Sequence, residues 1–176
     1  VATIPTIPTE APGNFWTSAL WNANILGGFN YLFAPVRFKG YSSTTQSIAT
    51  GTTPVSLTLD TEIVDSDGGH STTTNTSRYT AQTAGLYFVT GSVTFATNAT
   101  NSRTLQVLLN GAAINGAGVQ AAPAPNRGAT VFTATLVQLA VGDYVEIAAW
   151  QDSGGPLLTS SGTANTSTMC LWRISS

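Results

Sequence analysis

The chain holds a single histidine, His70, and a single cysteine, Cys170, so nucleophile–base chemistry would have to be built around one of them. A serine–histidine–aspartate arrangement must use His70. That residue stands in DSDGGHSTTT, a turn-rich loop, and the chain has no nucleophile-elbow pattern. The expectation is an exposed loop histidine without a catalytic role. Cys170, between Met169 and Leu171 in a strand-like run, reads as a small core residue. Glu62, Asp65 and Asp67 are the densest carboxylates. Oxygen-rich loops hold calcium, but this one lacks the length and terminal glutamate of an EF-hand loop. Aspartates in turns usually make Asx-type hydrogen bonds instead, and the sequence leaves calcium binding open. Asp143 and Glu146 do not fall on one strand face, so they form no acid/base couple. No glycine loop precedes a helix to cradle phosphate, and no Cys/His spacing suits zinc. Asn75, Asn98 and Asn165 each begin an N-x-S/T sequon, expected by chance in so Ser/Thr-rich a chain. No catalytic residue, metal ligand or cofactor is assigned, and the protein reads as a non-enzyme.

The surface chemistry points the same way. Hydrophobic content is 42% of 176 residues, but charged residues are only 8%, about a third of the usual share. Serine, threonine, asparagine and glycine replace the missing charge. Such a neutral hydrogen-bonding surface suits virion, extracellular or assembly proteins. Net charge is -2 without a basic run, so no nucleic-acid partner is expected. No apolar run approaches a membrane span, and no membrane partner is expected.

The elements that would position these residues divide near Ala34–Val36, into an N-terminal attachment segment (1–35) and a β-domain (36–176). Residues 1–13, VATIPTIPTEAPG, carry Pro5, Pro8 and Pro12 and predict an extended arm. Ile4 and Ile7 would lie exposed on it unless the arm docks on a neighbour. Residues 14–34 predict a short helix capped by Thr17 or Ser18. Its apolar stripe is Trp21, Ile25, Phe29 and Leu32, and Pro35 stops it. Phe15 and Trp16 add aromatic surface beyond what an isolated helix can hide.

From Val36 the pattern is strands and turns. The central strand follows Gly85. Tyr87, Val89, Gly91, Val93 and Phe95 alternate onto one face, while Leu86 and Phe88 begin the other. Asn110-Gly111 and Val141-Gly142-Asp143 are turns, Ala112 to Gly128 is a long loop or edge segment, and TMCLWRI closes the chain as a strand. About eight short strands without a helix among them predict an all-β, two-sheet jelly-roll sandwich.

Several of these runs resemble the trimeric jelly roll of the complement-one-q/tumour-necrosis-factor-like family over about residues 36–176. YTAQTAGLYFV is similar to that family's turn-Gly-x-Tyr-x-aromatic strand. LVQLAVGDYVEIAAW is similar to its penultimate hairpin, and STMCLWRI to its closing strand. Val89 departs from the pattern, standing where the family usually has a second aromatic. The resemblance implies a homotrimer around a threefold axis and no enzymatic activity. Leu86, Tyr87, Phe88, Phe95 and Phe132 are then candidates for trimer interface or core, which alternation does not separate. The N-terminal FWTSALWNANILGGFNYLFAP resembles the opening of minor virion proteins of phages that infect actinobacteria. Trp21-Asn22-Ala23-Asn24 and Leu32 to Pro35 carry that likeness.

Together these readings predict a non-enzymatic phage virion protein, a trimeric capsid decoration (cement) protein. Ile4, Ile7, Phe15, Trp16, Trp21, Ile25 and Phe29 would attach it to the major capsid protein or another virion protein. The alternative is a tail or fibre head that binds a receptor or cell-surface glycan. Its site would be Tyr41, His70, Trp150 and the loop from Gln151 to Pro156.

Overall fold

The structure is a computed structural model that describes residues 17–26, 29, 35–123 and 125–175. Ile4, Ile7, Phe15, Trp16 and Leu32 lie outside them. Thr17 leads into one α-helical turn, α1 (Ser18–Trp21), whose Trp21 amide donates to the Thr17 carbonyl at 2.9 Å. The chain then widens into a π turn over Asn22–Leu26. The expected helix over residues 14–34 therefore changes type after one turn. Asparagine, which opens the wider turn, is a poor residue for a helix interior.

The β-domain contains β1 (Arg37–Tyr41), β2 (Ser47–Ile48), β3 (Gly51–Ser56), β4 (Thr61–Asp65), β5 (Arg78–Thr80) and β6 (Gly85–Phe95). After these come β7 (Arg103–Leu109), β8 (Ala112–Ala121), β9 (Ala129–Leu139), β10 (Tyr144–Gln151), β11 (Leu157–Leu158) and β12 (Thr168–Ser175). The pattern predicted fewer strands because β2, β5 and β11 are too short to show alternation. The segment from Ala112 is the edge strand β8 rather than a loop, and it continues β7 through an Asn110-Gly111 turn. Both turn residues have positive φ, 50° and 78°, the type I′ geometry that matches strand twist.

A five-stranded sheet runs β4-β1-β12-β6-β9, a four-stranded sheet runs β5-β10-β7-β8, and β2 pairs with β11. The pairs within the sheets are antiparallel, and the first and last long strands, β1 and β12, lie side by side. This is a jelly-roll sandwich, as the alternation predicts.

The core lies between the sheets. Tyr87, Val89, Val93 and Phe95 of β6 are fully buried, as are Leu105, Val107, Val145 and Ile147 from the facing sheet. Each such aliphatic or aromatic side chain contributes about 1.5–3 kcal/mol by leaving water. At Gly91 the sheets approach closely: a Cβ there would sit 2.5 Å from Ile147 Cγ2. Gly85 is required for a different reason. Its φ is 155°, and a side chain would strike the Arg173 side chain and the Ser175 carbonyl.

Candidate functional site: an outward sheet face

The other side of the five-stranded sheet is the unusual surface. Strand register sets Phe88 opposite Trp172 on one neighbour and opposite Leu136 on the other. Directly opposed residues share a face. Because Tyr87 and Val89 point into the core, this row points outward. A second row joins Tyr41, Thr168, Ser92 and Phe132, and a third joins Lys39, Cys170, Thr90 and Ala134. Leu86 and Phe88 are half-buried, whereas Phe132, Leu136 and Trp172 are 58%, 53% and 41% exposed. The Phe88 and Trp172 rings pack at 4.9 Å between centroids. The apolar part of the face is Phe88, Trp172, Leu136 and Phe132; Thr90, Ser92 and Thr168 interrupt it, and it turns charged and polar on β1, at Arg37, Lys39 and Tyr41.

The sequence-predicted candidates therefore separate. Tyr87 and Phe95 are core, and burial pushes the Tyr87 phenol up to about 12. Its hydroxyl donates to the Thr83 carbonyl at 2.6 Å. Leu86, Phe88 and Phe132 are on the outward face. Cys170 corrects the expectation of a core residue: Met169 and Leu171 point inward, so the thiol between them lies half-buried on the outward face.

His70 is the larger correction, because its side chain is fully buried rather than exposed. The ring stacks 4.9 Å from Phe38. Nδ1 lies 2.7 Å from Glu62 Oε1 and Nε2 lies 3.1 Å from the Thr76 carbonyl. Both nitrogens are thus spent on acceptors, and neither faces a hydroxyl or thiol to activate. The neighbouring carboxylates also bond within the loop, although Asp67 Oδ2 is buried without a partner among the described residues. Asp65 accepts the Gly68 and His70 amides at 3.0 and 2.8 Å, the Asx-type arrangement. Asp67 accepts the Tyr79 hydroxyl at 2.6 Å, and burial followed by that bond drives the Tyr79 phenol far upward. Among the described residues no three His, Cys, Asp or Glu side chains are grouped to hold a metal ion.

No family model matches the sequence, and no curated relative does. Solved structures do. The chain is similar to the globular domain of zebrafish complement 1qA protein, with TM-score 0.59 and 12% identity, over 79% of this chain and 97% of that one. It is similar to murine APRIL at pH 5.0, with TM-score 0.60 and 11% identity, over 80% and 99%. For murine APRIL at pH 8.5 the values are 0.57 and 11%, over 78% and 98%. The domain has the C1q/TNF jelly-roll fold.

Within this jelly roll the expected Tyr41, His70 and Trp150 site does not assemble. Tyr41 is on the outward face, the His70 ring is buried, and Trp150 belongs to β10 in the other sheet. Gln151 is buried, its amide donating to the Ile48 and Gly155 carbonyls at 2.9 and 2.8 Å, so it pins a loop. Glu146, also buried, accepts from Ser77 Oγ at 2.6 Å and Arg78 Nε at 3.3 Å. Ahead of the jelly roll, Trp21 and Phe29 are 54% and 50% exposed and Ile25 is half-buried.

Residues that the sequence did not single out are Leu136 and Trp172. Their signal was present. Alternation puts Phe132 and Leu136 on the same face of β9, opposite the inward Val131, Thr133 and Val137. Tyr41 does border an open hollow of about 440 Å³ with Lys39, Ser43, Glu62, Ile63 and Thr163, at the polar side of the outward face.

Proposed function

We propose that this protein is a non-enzymatic structural protein of a phage particle, a homotrimer acting as a capsid decoration (cement) protein. The observation that carries the trimer is the outward row of Phe88, Trp172 and Leu136 with Phe132 beside it. A monomer leaves this row in water, whereas association around a threefold axis buries it. Contiguous apolar surface of this kind marks an association site. The jelly-roll fold, similar to C1q and TNF-type domains, fits that assembly.

The N-terminal segment, residues 1–35, is the attachment element. Exposed Trp21 and Phe29 supply anchor side chains of the kind that dominate binding interfaces, and Ile4, Ile7, Phe15, Trp16 and Ile25 extend them. The partner is the major capsid protein or another virion protein, and the protein's location is the virion. Deleting residues 1–34 leaves a soluble trimer that no longer binds capsids; undiminished capsid binding by the truncated protein would overturn the attachment role. A second reading, a tail or fibre head that binds a cell-surface glycan, is favoured by the polar hollow beside Tyr41.

A further inference from the structure

We infer that the hollow between β1, β4 and the loop before β12 binds an acidic saccharide. This deepens the glycan-binding reading, on which it rests, and names the residues and the ligand class.

Lys39 and Tyr41 stand two residues apart on β1 and so share the outward face. Glu62 and Ile63 flank them from the edge strand β4, and Ser161, Thr163 and Thr168 close the far wall. The volume, about 440 Å³, lies in the range of small-ligand pockets. Among the described residues no carboxylate lies within salt-bridge reach of Lys39. Its ammonium therefore has capacity for an anionic group from outside, held by a charge-assisted hydrogen bond. The half-buried Tyr41 ring offers a flat apolar surface for the C–H face of a sugar, and its hydroxyl is available as donor and acceptor. Ser161 and Thr163 present further hydroxyls. Glu62 spends Oε1 on His70 and keeps Oε2 to accept a ligand hydroxyl. A carboxylate together with several hydroxyls on a ring with an apolar face is the chemistry of a uronic or sialic acid.

The wall at Ser42 and Ser43 is fixed before any ligand arrives, which limits the entropy lost on binding. Ser43 gives both its amide and its hydroxyl to Asp60, at 2.7 and 2.9 Å. The Thr166 hydroxyl donates to the Ser42 carbonyl, and the Ser42 amide donates to the Ser167 carbonyl at 2.9 Å. The buried His70 ring orients Glu62.

The test is saturation-transfer NMR on the full chain with sialyllactose and tetragalacturonate, with lactose as the neutral probe, beside a broad glycan array. At least one acidic probe is expected to bind and lactose is not. Lys39→Gln weakens that binding at least tenfold and Tyr41→Ala abolishes it, both with unchanged melting temperature. Failure of both acidic probes at millimolar concentration, or binding indifferent to Lys39→Gln, overturns the inference. An array that reports only neutral glycans overturns it too while leaving the glycan-head reading standing. An array without any signal removes both.

Discussion

Phe88 and Trp172 face each other across β6 and β12 with their ring centroids 4.9 Å apart, on a surface that the rest of the domain leaves uncovered. Trp172 is 41% exposed, and in the proposed trimer the pair lies against a neighbouring copy. The predicted consequence is that Leu136→Arg or Phe132→Arg splits the assembly into folded monomers. Within the domain itself such a surface change moves stability by only about 0.5 kcal/mol. Light scattering for mass and circular dichroism for fold check the two halves of that statement.

Cys170 reports on the same face from its centre. In the proposed trimer its thiol is expected to react slowly with Ellman's reagent, and Leu136→Arg to speed the reaction at least tenfold. Equal rates in the two proteins would mean that the face is equally open in both.

Gly91→Ala tests the sandwich interior. The new methyl meets Ile147 Cγ2 at 2.5 Å, and overpacking of this kind costs about 1–3 kcal/mol. Adding Ile147→Ala removes the clash, so the double variant is expected to lose less than the two single losses summed. Urea melts measure that coupling.

His70→Ala is expected to destabilise the domain. It removes the bonds to Glu62 Oε1, which is partly exposed, and to the Thr76 carbonyl, which keeps the Leu59 amide at 2.9 Å, a loss of about 0.5–1.5 kcal/mol for each bond. It also opens space beside Phe38. Denaturant melts give the loss, and faster amide exchange at Gly68 and His70 would localise it to this loop.

Acid dependence follows from two exposed turn carboxylates. The Asn110 side chain and then the Ala140 amide hold Asp143 below the usual aspartate value. The Ser102 amide, opposed by burial and helped by the Ser102 hydroxyl, does the same for Asp152. A carboxylate held low in the folded state contributes fully above the unfolded value of about 3.9. That contribution is lost as pH falls through the folded value. Stability should therefore be flat at neutral pH and fall below about pH 4, and Asp143→Asn should flatten the fall. Urea midpoints measured from pH 2 to pH 7 check both.

Much of the sandwich was legible because its long strands alternate cleanly. In β6 the inward residues Tyr87, Val89, Gly91 and Val93 differ in kind from Thr90 and Ser92 between them, and Asn110-Gly111 is a local turn signal. Cys170 was misread although its neighbours carried the answer. Met169 and Leu171 are both apolar and both inward, so period 2 puts the residue between them outside. His70 was illegible for another reason. Its burial comes from Phe38 and Glu62, which belong to β1 and β4, and no local pattern reports such contacts. The Tyr41 hollow likewise joins residues about 120 positions apart in the chain, so sequence spacing could name Tyr41 but not its neighbours.

In the proposed trimer the apolar patch of Phe88, Trp172, Leu136 and Phe132 joins copies of this chain, and the hollow beside Lys39 and Tyr41 stays open at the edge of the sheet. Sedimentation equilibrium of the purified full chain tests that assembly most directly. The proposed trimer gives a species of three times the 18.2 kDa chain, stable on dilution to micromolar concentration. A folded species of 18.2 kDa under those conditions would contradict it.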